Sequence, residues 1–132
     1  MLLKTPMTPM DAKQKNPLAL AFMGDTIWDL LTRQLLLSSA ARVNALHKSA
    51  VSRVNAGAQA AALDKVAPHL TDEEADIMRR GLNAHAKHSV PKNQDPMDYS
   101  KATGLEAVFG YLYLTGQNDR IRELFDISEA IN

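Results

Sequence analysis

Two acidic residues stand in unusually apolar company. Asp25 is the only charge between Lys15 and Asp29, within the stretch LALAFMGDTIWDLL. Glu106 is the only charge between Lys101 and Asp119, within ATGLEAVFGYLYL. An unpaired carboxylate in such a setting costs several kcal/mol or gives up its charge. Glycines flank both: Gly24 precedes Asp25, and Gly104 and Gly110 bracket Glu106. A helical glycine costs roughly 1 kcal/mol relative to alanine, a cost that close approach of another backbone or a ligand would offset. Each acid also has an ordinary reading. Asp25 can be a surface acid beside a packing glycine, and Glu106 an exposed acid on the wet edge of a buried helix. Two such acids, each beside glycine in an oily helix, suggest a shared cleft. Carboxylates from two helices suit Mg²⁺, which takes oxygen ligands and keeps several waters. Their proximity depends on the fold, because they lie far apart in the chain.

The elements that must bring them together all read as helices. Asn16 and Pro17 supply an N-cap and a first-turn proline for a helix running to about Ser38. Asn44 can cap a second helix, whose apolar spacing continues through Val54 and Ala61 to Pro68. Its alanine-rich run AGAQAAAL suggests close helix packing. Thr71 and Glu74 form a capping box for a third helix, reaching about Ala84. Residues 89–98 carry two prolines and read as a loop. Asp98 or Ser100 would cap the helix bearing Glu106, which Gly116 would end. Asn118 or Asp119 opens a last helix. No stretch alternates with period two, so the expectation is an all-α domain of five to six or more helices over residues 16–132. Residues 1–15, with Pro6 and Pro9 among Thr, Met and Lys, read as a flexible or loosely docked tail.

Composition excludes several classes. With 132 residues and 45% hydrophobic content, one domain can bury a real core. Aromatic residues make up 5%, too few for a base-stacking platform. There is no cysteine, hence no disulfide framework and no thiolate zinc site. Lys plus Arg and Asp plus Glu are both 15, so any grip on nucleic acid must come from a local basic face. The first 15 residues lack the apolar core of a secretory signal, and no oily run is long enough to span a membrane. The expectation is a soluble cytoplasmic protein with no membrane partner.

The two acidic stretches also carry a resemblance. LAFMGDTIWDLL resembles the signature helix of the ribonuclease III family, and TGLEAVFGYLYLTG its second acidic helix. With RRGLNA and VPKN between them, they resemble the short bacterial Mini-ribonuclease III branch, which lacks the double-stranded-RNA-binding domain. The likeness spans residues 16–130. It implies a ribonuclease-III-like endonuclease domain, with Asp25 and Glu106 as the catalytic and metal-binding aspartate and glutamate. Larger members carry two further acids, which would fall at Ala21 and Thr103. Their lack fits the short branch and leaves more of the metal's coordination to water and RNA phosphate. Asp29, one turn beyond Asp25, and Thr103 could support that water, although an i,i+4 pair with Arg33 is the plainer role for Asp29.

The resemblance further implies Mg²⁺-dependent hydrolysis of double-stranded RNA stems to 5′-phosphate and 3′-hydroxyl ends. The substrate it implies is the large-subunit (23S) ribosomal RNA precursor, with a bound ribosomal protein as a candidate helper. It implies a homodimer, in which Phe22 could serve the interface. Trp28 fits core packing better. The RNA grip would come from residues 79–93. Arg79, Arg80, Lys87 and Lys92 could meet phosphates, and Asn83 and Asn93 could meet 2′-hydroxyls. A solvated helix end is the plainer account of Arg79 and Arg80. The alternative function is a non-catalytic helical module for RNA binding or dimerisation.

Overall fold

The computed structural model describes residues 2–38, 42–84 and 93–130. Lys87 and Lys92 lie outside these. The described residues form seven α-helices and no strand: α1 (Pro9–Lys13), α2 (Pro17–Leu37), α3 (Val43–Arg53), α4 (Ala56–Val66), α5 (Asp72–Asn83), α6 (Pro96–Leu114) and α7 (Asn118–Glu129). A 3₁₀ turn, Ala67–His69, follows α4.

The helix ends follow local chemistry. The Asn16 side chain accepts from Leu18 N at 2.8 Å, with Pro17 at the first turn of α2. The Thr71–Glu74 capping box closes in both directions. Several boundaries differ from expectation: Asn44 lies inside α3, whose N-cap is Arg42, and Gln117 stands at the N-cap of α7 in place of Asn118 or Asp119. The stretch expected as one long second helix is two, because Asn55 interrupts it and starts α4 by accepting from Ala58 N. The same side chain donates to the carbonyls of Val51 and Ser52, so one residue closes α3 and opens α4. The cap of α6 is Asp95, which accepts from Asp98 N at 3.0 Å with Pro96 behind it. At the other end Gly116 takes φ 73°. Its N–H bonds Tyr113 O, and Gln117 N–H reaches back to Leu112 O. That double bond is a Schellman stop, which favours glycine at the left-handed position.

Helix α6 is the axis of the fold. It packs against α2, α4, α5 and α7. Residues 102–105 and 107–112 are buried, and Glu106 between them is half-buried. The contact with α2 is backbone against backbone. A Cβ placed on Gly24 would lie 1.7 Å from Glu106 O, and one on Gly110 would lie 1.9 Å from Leu20 O. Neither position can carry a side chain at this separation. A second close approach joins α5 to α6, where a Cβ on Gly81 would lie 2.8 Å from Gly104 Cα. The ring core sits beside the α2–α6 crossing. Trp28, 3% exposed, meets Phe109 and Phe125 edge-to-face at 5.3 and 5.2 Å, and its Nε1–H donates to Arg53 O. Trp28 therefore belongs to the core.

The N-terminal segment, expected as a flexible or loosely docked tail, makes specific contacts with the domain. Met7 N–H donates to Leu114 O at 2.7 Å, and Ala12 is fully buried. Arg80 donates to the carbonyls of Lys13 and Lys15, which cap the end of α1. Lys13 pairs with Glu73 at 3.1 Å, and the Tyr111 hydroxyl donates to the same carboxylate. The segment is ordered by contacts distant in sequence, and a five-residue helix shows no readable periodicity.

Replacing Gly24 by Ala should force α2 and α6 apart. Overpacking at a tight core site costs about 1–3 kcal/mol, and a backbone–backbone contact belongs at the upper end. Thermal unfolding followed by circular dichroism should show a clearly lower midpoint for Gly24→Ala, and a similar loss for Gly110→Ala.

Candidate active site

The α2–α6 crossing places Asp25 beside Glu106. Both line a cleft of about 410 Å³, together with Phe22, Asn55, Gln59 and Thr103. The wall is built by α2 and α6, the start of α4, and Gln94 just ahead of α6. Asp25 is exposed at the mouth, and Glu106 sits deeper. Among the described residues no Lys or Arg forms an ion pair with either acid.

That arrangement is electrostatically uncomfortable for an anion. Burial pushes the Glu106 carboxyl up to about 9, and the hydrogen-bonded, like-charged Asp25 adds to the effect. The Gln59 side chain opposes it: its Nε2–H donates to Glu106 Oε2 at 3.4 Å. Burial and the neighbouring Asp25 thus both favour the proton-bearing form of Glu106. A cation between the two acids would remove the reason for that proton. The donor set fits a hard divalent ion, with two carboxylates in an open cleft and room for water and phosphate oxygen. No group of three or more His, Cys, Asp or Glu gathers among the described residues. Such an ion would therefore take most of its ligands from outside the protein.

The other expected site residues scatter more widely. Thr103 lines the cleft, but its hydroxyl donates to Tyr99 O one turn back. Ala21, at the other position where larger family members carry an acid, lines the cleft as a bare methyl. Asp29 makes the i,i+4 pair with Arg33 at 3.0 Å and faces an adjoining groove that Asp25 also borders. Phe22 is 82% exposed at the cleft's edge. Of the basic segment, Arg79 pairs with Asp76 and Arg80 is engaged by the α1 carbonyls. Asn83 and Asn93 are exposed. None of these four lines the cleft, whereas Gln94 does. Sequence reasoning missed Gln59. Its signal was a single polar residue inside an alanine-rich run, which reads as packing until the fold aims it at Glu106.

The cleft thus brings two carboxylates together in an all-α domain, a donor set that suits a hard divalent ion. Similar proteins place the chain in a family. Residues 18–117 match the family model described as Ribonuclease III domain. A Mini-ribonuclease 3 from Symbiobacterium thermophilum is 47% identical over 82% of this chain and 83% of its own length. One from Brevibacillus brevis is 42% identical over 92% of this chain and 90% of its own. A crystal structure of a Fusobacterium nucleatum protein superposes with a TM-score of 0.80 at 32% identity, covering 89% of this chain and 93% of that one. The chain belongs to the ribonuclease III family, in its Mini-ribonuclease III branch. It is an endoribonuclease of the ribonuclease III type, a family that acts on double-stranded RNA.

The Glu106 shift has a measurable sign. The folded-state value, about 9, lies above the ordinary 4.5. Between the two the folded protein binds the extra proton, so its stability falls as pH rises across that window. In EDTA, Glu106→Gln should remove this loss. The variant's thermal midpoint should gain on the parent's from mildly acidic to mildly alkaline pH.

Proposed function

We propose that Asp25 and Glu106 hold Mg²⁺ and hydrolyse phosphodiester bonds in double-stranded RNA stems, leaving 5′-phosphate and 3′-hydroxyl ends. One observation carries this reading: the two lone acids of α2 and α6 share one cleft, with no cationic side chain paired to either among the described residues. Bound there, the metal supplies positive charge for the scissile phosphate and makes water more acidic. The chain's own part is positional. Asp25 at the mouth and Glu106 deeper in the cleft would be the two protein oxygen ligands of the cation. Asp29 and Thr103 support the surrounding water, and backbone contact at Gly24 keeps the two acids in register.

The substrate we infer is the 23S ribosomal RNA precursor, on the strength of the likeness to Mini-ribonuclease 3 proteins, with a ribosomal protein on that precursor as a partner. The cytoplasm is the compartment this work requires. No described helix is long and apolar enough to cross a membrane. The active form is a homodimer, which gives each strand of a duplex its own site. Exposed Phe22, beside the cleft, is the apolar anchor that such an interface needs. RNA contacts fall to Arg79, Arg80, Asn83, Lys87, Lys92 and Asn93, and Arg80 also holds the end of α1.

Cleavage of an end-labelled duplex, and of folded 23S precursor, tests the central claim. Cutting should require Mg²⁺, stop in EDTA, and disappear in Asp25→Asn and in Glu106→Gln while circular dichroism stays unchanged. Cleavage retained in both variants would overturn it, and duplex binding without any cut would favour a non-catalytic module. For the dimer, Phe22→Asp should shift sedimentation towards the monomer without loss of helix content.

A further inference from the structure

Gln59 has a burial pattern that packing alone does not explain. It is 4% exposed, on the α4 face that meets α6. Its side-chain amide has two N–H donors and an acceptor oxygen with two lone pairs. Among the described residues one hydrogen bond uses them, the 3.4 Å contact from Nε2 to Glu106 Oε2. The bond is long, and the remaining amide capacity borders the cleft. A buried amide left so under-satisfied calls for a functional account. The surroundings sharpen the point. Thr103 bonds the Tyr99 carbonyl, position 21 is alanine, and Asn55 has its side chain engaged by α3 and α4. Gln59 is thus the side chain seen donating to the Glu106 carboxyl from outside α2 and α6.

We propose that Gln59 is the positioning residue of this site: it orients the ionised Glu106 carboxylate towards Asp25 and offers its free amide atoms to water in the cleft. The inference rests on the reading of Asp25 and Glu106 as the metal-binding pair. Its physical basis is general. A metal-ligating carboxylate is held by outer hydrogen bonds, and loss of such a partner weakens metal affinity by about 10–100-fold. The amide is uncharged, so it orients Glu106 without adding repulsion to the pair. Helix α4 thereby takes part in the chemistry, and Asn55, which starts α4, fixes the height of Gln59 along it.

The test compares the parent with Gln59→Leu, which keeps the volume and removes the hydrogen bonds, and with Gln59→Asn, which keeps the amide on a shorter stem. Titration calorimetry of the metal-free protein with Mn²⁺ reads the site without catalysis. Gln59→Leu should bind Mn²⁺ about 10–100-fold more weakly, with KM for duplex RNA unchanged, kcat reduced, and partial recovery at high Mg²⁺. Gln59→Asn should fall between Leu and the parent. Asp25→Asn separates the two levels of the argument. Should Asp25→Asn abolish Mn²⁺ binding while Gln59→Leu retains parental affinity and kcat, the Gln59 role is wrong and the site stands. Should neither variant alter Mn²⁺ binding, the metal pair itself is wrong. If Gln59→Leu fails to fold, the Asn variant decides, and parental affinity and kcat in it would overturn the proposal.

Discussion

The whole domain hangs on two glycines that touch across the crossing of α2 and α6. With hydrogens in place of side chains at positions 24 and 110, the two backbones meet at van der Waals distance. The proposed active site follows from that contact. Asp25 is the next residue after one glycine, and the carbonyl that Gly24 presses against belongs to Glu106 itself. The acids are brought together by main chain, which is stiffer than any pair of side chains could be. Gly81 against Gly104 repeats the device on another side of α6, so the central helix is gripped closely by both α2 and α5.

This construction also sets the stability balance. The aromatic cluster of Trp28, Phe109 and Phe125 lies just beyond the crossing, and fully buried side chains of that size contribute roughly 1.5–3 kcal/mol each. Part of that gain offsets the burden of a half-buried carboxyl facing another acid. The same low-polarity surroundings that raise the Glu106 pKa would strengthen its attraction for a divalent ion once the proton leaves. A pair of acids placed to hold a cation, as proposed here, would in this sense be a liability without one.

Much of this was legible in the chain. The two lone acids, their glycines, the capping residues at Asn16 and Thr71 and the stop at Gly116 all act through local rules, and local rules can be read from sequence. The failures were non-local. The break between α3 and α4 turns on one Asn55 side chain bonding in both directions, inside a run whose apolar spacing continues unbroken. The order of residues 7–15 comes from Arg80, Glu73 and the end of α6, all distant along the chain. Gln59 looked like filler among alanines because nothing local distinguishes an amide aimed at solvent from one aimed at a carboxylate. Arg80, read from sequence as a candidate RNA contact, also has a structural role that only the fold reveals, donating to the carbonyls of Lys13 and Lys15.

The glycine contact has one more consequence, for ionic radius. Mg²⁺ wants oxygen at about 2.0–2.1 Å and Ca²⁺ at about 2.3–2.6 Å. Sites with ligands on loops adapt to the larger ion by breathing. Here the two arms spring from helices already in backbone contact, so the gap between them can change only by rotation of two short side chains. Selectivity among cations would then be a property of helix geometry, written into the chain by the absence of two methyl groups.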